Sequence, residues 1–186
     1  MNILNDTLNG LKKRLDKDHT IYIQQTQGLT YEVTCEFNPP ASIDEIKMLE
    51  ERLGWSLPQD YKEFLLRHNG ANLLFQPGIG EGIELYSIEQ ILEMRESHQE
   101  MEVFEKDFYS IGTCRDGMIL INAELCKPNP NRDSNYLNWL MDCSSEEDII
   151  DLKTNFEIWL DRIIAAQGDD YWNWSIISAE NHYKYR

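Results

Sequence analysis

The segment SIDEIKMLEERLGWSLPQDYKEFLLRHNG constrains the fold most, because it contains two helix patterns with sharp boundaries. Ser42 and Glu45 have the S-x-x-E spacing of a capping box, and Gly54 stands where a left-handed residue commonly ends a helix. Pro58 suits the start of a second helix, which Gly70 follows. We therefore predict two capped helices joined by a tight corner.

The remaining patterns alternate between helices and strands. Apolar residues at steps of three and four predict helices over 3–16 and around 156–163. The capping-box spacing of Ser87 and Gln90 predicts a further helix over 88–101. Runs rich in Thr, Ile, Tyr and Val predict strands in HTIYIQQ, TYEVTCEF, IELY, DFYSIGTC, ILINAE and YLNWLMD. This order predicts a single-domain α+β fold with a mainly antiparallel sheet flanked by helices, and leaves mixed strand pairing open. Residues 1–35 form a helix and hairpin that are either part of the domain or appended to it, and 36–186 form the domain itself.

The charge of the chain limits its partners. The formal net charge is −16, which repels phosphate backbones and favours a basic protein over a nucleic acid. No apolar run approaches the length of a membrane span, and the first residues lack the apolar core of a secretory signal. The four cysteines have no C-x-x-C spacing, which is typical of reduced thiols, so we expect a cytoplasmic protein without a membrane partner.

The chemically reactive residues lack catalytic signatures. The cysteines stand alone, and the histidines show no i, i+4 metal spacing; these residues are Cys35, Cys114, Cys126, Cys143, His19, His68, His98 and His182. We interpret His68 as a positive charge favoured at the C-terminus of a helix. We predict no catalytic residues, no metal and no cofactor.

An acidic stripe is the sequence feature most suggestive of binding. Nine acidic residues lie between Glu81 and Asp107, against Arg95 and Lys106. Like charges at i, i+4 destabilise a helix by roughly 0.2–0.5 kcal/mol per pair, so a stripe of them costs helix stability. One interpretation is a contact surface for a basic partner, and the other is a solvated face of an acidic protein. The candidate partner-binding residues are Glu81, Glu84, Glu89, Glu93, Glu96 and Glu100.

The segment quoted first resembles the signature of the SUKH superfamily, also described as the SMI/KNR type. The matching positions are Ile46 and Glu50, followed by the pairs Leu53-Gly54, Leu57-Pro58, Asp60-Tyr61, Phe64-Leu65 and Asn69-Gly70. Residues 1–35 and the loop 126–135 have no clear counterpart in that signature. The resemblance implies an α+β domain with a non-catalytic role, and for bacterial members an immunity protein that neutralises a toxin.

The charge and the resemblance lead to one leading hypothesis. It is a cytoplasmic immunity protein, or antitoxin, that binds a cognate toxin with a basic nuclease domain. A regulatory scaffold that binds other proteins is the first alternative. A small-ligand-binding protein with a pocket near Trp55 and Asn69 is the second. The identity of the toxin and the oligomeric state stay open.

Overall fold

A computed structural model describes residues 2–100, 107–126 and 135–175 of the 186-residue chain. The helices are α1 (Ile3–Arg14), α2 (Ile43–Leu53), α3 (Gln59–Leu65), α4 (Ile88–Glu100) and α5 (Phe156–Ala165). The strands are β1 (Thr20–Gln24), β2 (Thr30–Phe37), β3 (Ala71–Gln76), β4 (Glu81–Leu85), β5 (Phe108–Cys114), β6 (Gly117–Asn122), β7 (Leu137–Met141) and β8 (Ile150–Asp151). Within these residues, no helix combines the length and the apolar character needed to cross a membrane.

The strands form one eight-stranded sheet in the order β1 to β8, and every neighbouring pair is antiparallel. The predicted α+β fold is therefore confirmed, and the pairing left open is antiparallel throughout the described strands. The sequence patterns missed two strands, the two-residue β8 and the longer β3. Strand β3 carries two consecutive inward leucines, so its residues do not alternate as a regular strand does.

The two faces of the sheet differ in character. On β2, Val33 and Cys35 point into the core, while Glu32, Thr34 and Glu36 point to the other side. We call these the inner face and the outer face. The inner face packs against the helices, and its apolar side chains belong to one core with those of α1 to α5. On β6 and β7 the outer-facing Leu120 and Leu140 are buried as well.

A bulge in β3 explains its irregular pattern. The register between β3 and its neighbours shifts near Leu74, whose φ is 51°. This left-handed backbone turns both Leu73 and Leu74 into the core, where a regular strand would place only one of them. The backbone N–H of Leu74 donates to the sulfur of Cys35 at 3.3 Å.

The predicted boundaries of α2 are confirmed, whereas α3 begins after Pro58 without a side-chain cap and ends at Leu65, five residues before the stop predicted at Gly70. The Ser42 hydroxyl accepts from the Glu45 N–H, and the Glu45 carboxylate accepts from the Ser42 N–H, as a capping box requires. Gly54 ends α2 with φ 76°. Gly70, with φ 93°, lies where a Cβ atom would stand 2.8 Å from Leu85 O, so this corner admits no larger residue without a shift.

The apolar face of α2 is narrower than its sequence suggests. Ile46, Leu49 and Leu53 are buried, but Ile43, the first residue of the helix, is 62% exposed. Helix α2 contacts α4, and α5 contacts both α1 and α3.

The first 35 residues join the same sheet and core as the rest of the chain. Strand β1 pairs with β2, which in turn pairs with β3. Leu4, Leu8 and Leu11 of α1 are buried in the common core, and the Thr7 hydroxyl donates to the Asp161 carboxylate of α5 at 2.7 Å.

Candidate functional site

Helix α4 presents the predicted acidic line to solvent. Glu89, Glu93 and Glu96 are all exposed, at the helical spacing that the sequence predicts, and the side chain of Glu100 lies outside the described residues. Arg95, the basic residue of this helix, is turned away from the line, because its guanidinium donates to Leu53 O at 3.3 Å. Burial lowers the pKa of Arg95.

One member of the acidic line already has a partner. Arg52 of α2 forms a 2.7 Å ion pair with the Glu96 carboxylate, and both side chains are more than half exposed. Such surface pairs contribute about 0–1 kcal/mol to stability. Glu89 and Glu93 form no ion pair within the described part of the chain, so both carboxylates are available to a partner.

The other two predicted residues, Glu81 and Glu84, lie on opposite faces of strand β4. Glu84 points to the outer face, where its carboxylate accepts from the side-chain amide of Gln90 at 2.8 Å. Glu81 lies on the inner side, where it faces a small cleft at the end of the sheet. The two β4 residues therefore do not share a face: Glu84 approaches the first turn of α4, and Glu81 faces the opposite way.

Sequence reasoning missed a second acidic surface, the outer face of β1 to β4. Registered pairs place Glu36 beside Asn72, Asn72 beside Glu84, and Tyr22 beside Glu32. Three glutamates therefore lie on this face, and no Lys or Arg does among its described strand residues. Tyr22 is 72% exposed beside them. The alternation of Thr and Glu in TYEVTCEF is the signal that could have found this face.

The cleft beside Glu81 is small, and four of its lining residues have positive φ angles. Leu74, Arg115 and Gln167 have φ values of 51°, 54° and 56°, and Gly168 has 84°. Left-handed residues of this kind cluster where the surrounding structure holds them in place. The cavity volume is about 30 Å³, which is enough for one or two water molecules and too small for an organic ligand.

The two residues of the second alternative, Trp55 and Asn69, have separate structural contacts in the described part of the chain. The Asn69 side chain accepts from the Ile88 N–H at 2.8 Å and so helps to start α4. Trp55 packs against the core. Neither of these residues lines the cleft beside Glu81 or the groove between α1 and α5.

The signature residue Asp60 has a structural role. Its carboxylate accepts from the Tyr136 hydroxyl at 2.6 Å and from the Glu157 N–H at 3.0 Å, at the N-terminus of α5. Burial raises the pKa of Asp60, and these hydrogen bonds oppose the shift. Asp60 of the signature therefore joins α3 to the N-terminus of α5.

The cysteines divide into three buried thiols and one exposed thiol. Cys35, Cys114 and Cys126 are buried, whereas Cys143 is exposed. Burial raises the pKa of Cys114 and of Cys126 to about 12, so both are unreactive thiols in the folded chain. Across 2–100, 107–126 and 135–175, no group of three or more His, Cys, Asp and Glu side chains is arranged to hold a metal ion.

His68 contradicts its interpretation as a positive helix cap. Its Nε2 lies 2.6 Å from Lys12 Nζ, and its Nδ1 lies 2.9 Å from Asn38 O. Because a carbonyl can only accept, Nδ1 carries the proton and Nε2 accepts from the ammonium. Burial and the nearby positive charges lower the pKa of His68, which favours the neutral ring.

Comparison with known proteins agrees with the signature and the fold. The model of the SMI1 / KNR4 family (SUKH-1) matches residues 40–162, from the residue before Ala41 into α5. The chain is 36% identical to the uncharacterized protein YnaB of Bacillus subtilis (strain 168) over 141 residues, which cover 76% of this chain and 88% of YnaB. It is 33% identical to the uncharacterized protein YobM of the same organism over 193 residues, which cover 100% of this chain and 99% of YobM. The chain belongs to the SMI1 / KNR4 family (SUKH-1).

Proposed function

We propose that this chain is a non-catalytic immunity protein that acts in the cytoplasm by binding a toxin with a basic nuclease domain. The family supports this proposal, because the resemblance to the SUKH superfamily implies an immunity role for bacterial members, and both relatives come from Bacillus subtilis. A nuclease domain is expected to be basic because it must hold phosphates.

The outer face of β1 to β4 is the observation that carries the proposal. It combines three glutamates with an exposed tyrosine, and its described strand residues include no positive charge. Tyrosine is enriched among the residues that dominate binding energy, and a rigid sheet loses little entropy when a partner binds. A basic surface is the complementary partner, and it would gain in association rate as well as in affinity.

Helix α4 extends the proposed contact. Glu89 and Glu93 are exposed and unpaired within the described residues, and Glu84 lies between the sheet face and the first turn of α4. We retain the predicted glutamates except Glu81, which faces the cleft on the inner side, and add two from β2. The proposed set is Glu32, Glu36, Glu84, Glu89, Glu93, Glu96 and Glu100.

Charge reversal in matched pairs tests the proposal. The toxin probe is the product of the gene next to that of this chain, tested by co-expression, pull-down and rescue of growth. The first variant is Glu32→Lys/Glu36→Lys on the sheet, and the second is Glu89→Lys/Glu93→Lys on α4. The control is Glu51→Lys/Glu147→Lys, which changes the net charge equally at exposed positions on other elements.

The expected result distinguishes binding through a defined contact surface from attraction by the net charge of the chain. Each contact variant should weaken toxin binding by at least about tenfold, while the control variant weakens it far less. Equal losses in all three variants would show that net charge alone attracts the toxin. Unchanged binding in both contact variants would place the contact elsewhere, and turnover of a substrate by the purified chain would contradict the non-catalytic role.

A further inference from the structure

An open groove runs between α1 and α5, and the described residues leave it unfilled. Its volume is about 630 Å³, and Leu11 and Ile164 form its floor. Asp6, Gly10 and Arg14 lie along its α1 side and are all exposed. This groove has no part in the acidic contact proposed above.

The packing of the described residues does not require a glycine at position 10. Gly10 lies in the interior of α1, where glycine costs helix stability relative to alanine. Apart from the adjacent residues and the backbone of α1 itself, no atom of the described residues lies within 4 Å of the position that a Cβ would take. A glycine on an open helix surface allows the backbone of another molecule to approach closely.

The charged residues on either side of Gly10 can pair with the same residues of a second copy. Asp6 precedes Gly10 by four residues and Arg14 follows it by four, so the three residues lie in one row on the helix. In an antiparallel pair of α1 helices centred on Gly10, Asp6 of each copy faces Arg14 of the other. A two-fold axis produces this pairing of unlike residues.

Asp6 and Arg14 are available for ion pairs with a second copy. Within the described residues, neither the Asp6 carboxylate nor the Arg14 guanidinium forms an ion pair. Asp161 of α5 lies on the opposite side of the groove near Thr7, so the incoming Arg14 would meet a second carboxylate. We infer that the groove between α1 and α5 is a homodimer interface, in which α1 of a second copy packs antiparallel across Gly10.

A charge swap tests the interface directly. The oligomeric state of the purified chain is measured by sedimentation equilibrium over a wide concentration range at physiological salt. There the Debye length is about 8 Å, so the repulsion between two acidic chains is screened while direct ion pairs persist. The variants are Asp6→Arg, Arg14→Asp and the double variant with both changes.

The wild-type chain should form a concentration-dependent dimer. Each single variant should raise the dimer dissociation constant by at least about tenfold, because each places like charges at both ends of a symmetric contact. The double variant should return the constant close to that of the wild type. Glu51→Arg and Lys47→Asp are matched controls on α2 that should leave the dimer unchanged.

Substitution of Gly10 provides a second, independent test. Gly10→Leu should abolish the dimer without unfolding the chain, since its side chain enters open space in the monomer. Gly10→Ala should raise the melting temperature of the monomer. A chain that is monomeric at every concentration, a dimer that survives Gly10→Leu, or a double variant as weak as the single variants would overturn the inference.

Discussion

The hydroxyl of Tyr136 donates a 2.6 Å hydrogen bond to the carboxylate of Asp60, although the two residues are 76 positions apart in the chain. The same hydroxyl accepts from the Phe156 N–H at 3.1 Å. A residue of α3 and a residue next to β7 therefore satisfy the first backbone donors of α5 together. This network holds the helices of the signature against the sheet that bears the acidic face.

Asp60→Asn should destabilise the fold. The carboxylate accepts from two donors, and an amide would present its own N–H₂ group to one of them. We expect a loss of about 1–3 kcal/mol in the free energy of unfolding, measured with urea, and a smaller loss of about 1 kcal/mol for Tyr136→Phe. An Asn variant as stable as the wild type would contradict the role assigned to Asp60.

The difference in stability between the wild type and Asp60→Asn should depend on pH. Burial raises the pKa of Asp60 above its ordinary value of 3.8, so the folded chain binds this proton more tightly than the unfolded chain. The contribution of Asp60 to stability is then fully present below pH 3.8 and is lost as the pH rises through the raised pKa. The stability difference between wild type and Asp60→Asn should therefore decrease with rising pH across that window, and an increase would contradict the raised pKa.

Removing the Lys12 ammonium should change the titration of His68. Burial lowers the pKa of His68 below its ordinary value of 6.5, and Lys12 lowers it further. Lys12→Met should therefore raise the pKa of His68 as followed by NMR of the ring protons, whereas Lys13→Met should leave it nearly unchanged. Because the pKa is depressed in the folded state, the His68 contribution to stability is lost as the pH falls through the folded value.

The two glycines of the signature should differ in their tolerance of alanine. Gly54 and Gly70 both have positive φ, but a Cβ at Gly54 would meet nothing within 4 Å. Gly54→Ala should cost about 1 kcal/mol from backbone conformation alone. Gly70→Ala should cost clearly more in thermal unfolding, because its Cβ would stand 2.8 Å from Leu85 O and from Ser87 N.

One thiol of four should react in the native chain. Cys143 is exposed, while Cys35, Cys114 and Cys126 are buried. Ellman's reagent should therefore modify one equivalent rapidly in buffer and all four in denaturant. Cys143→Ser should remove the rapid phase, and a rapid phase that persists in this variant would show that a buried thiol is accessible.

Local features of the fold were predictable because their interactions join residues close in sequence. The capping boxes of Ser42 with Glu45 and of Ser87 with Gln90 span three residues each, and both form as predicted. Strand β3 escaped prediction because the bulge at Leu74 depends on the neighbouring strands, which no local pattern encodes.

The candidate surfaces were predictable only in part. The helical spacing of the α4 glutamates determined that they share one line, since that geometry belongs to the helix itself. Only the tertiary structure decided that Arg95 turns inward, that Arg52 pairs with Glu96, and that Glu36 and Glu84 share a face with Tyr22. The sequence by itself determined the family, the capping box of α2 and the alternation of regular strands such as β2. Strand order and packing decided which distant charges meet, because a Coulomb interaction depends on separation in space and not on separation along the chain.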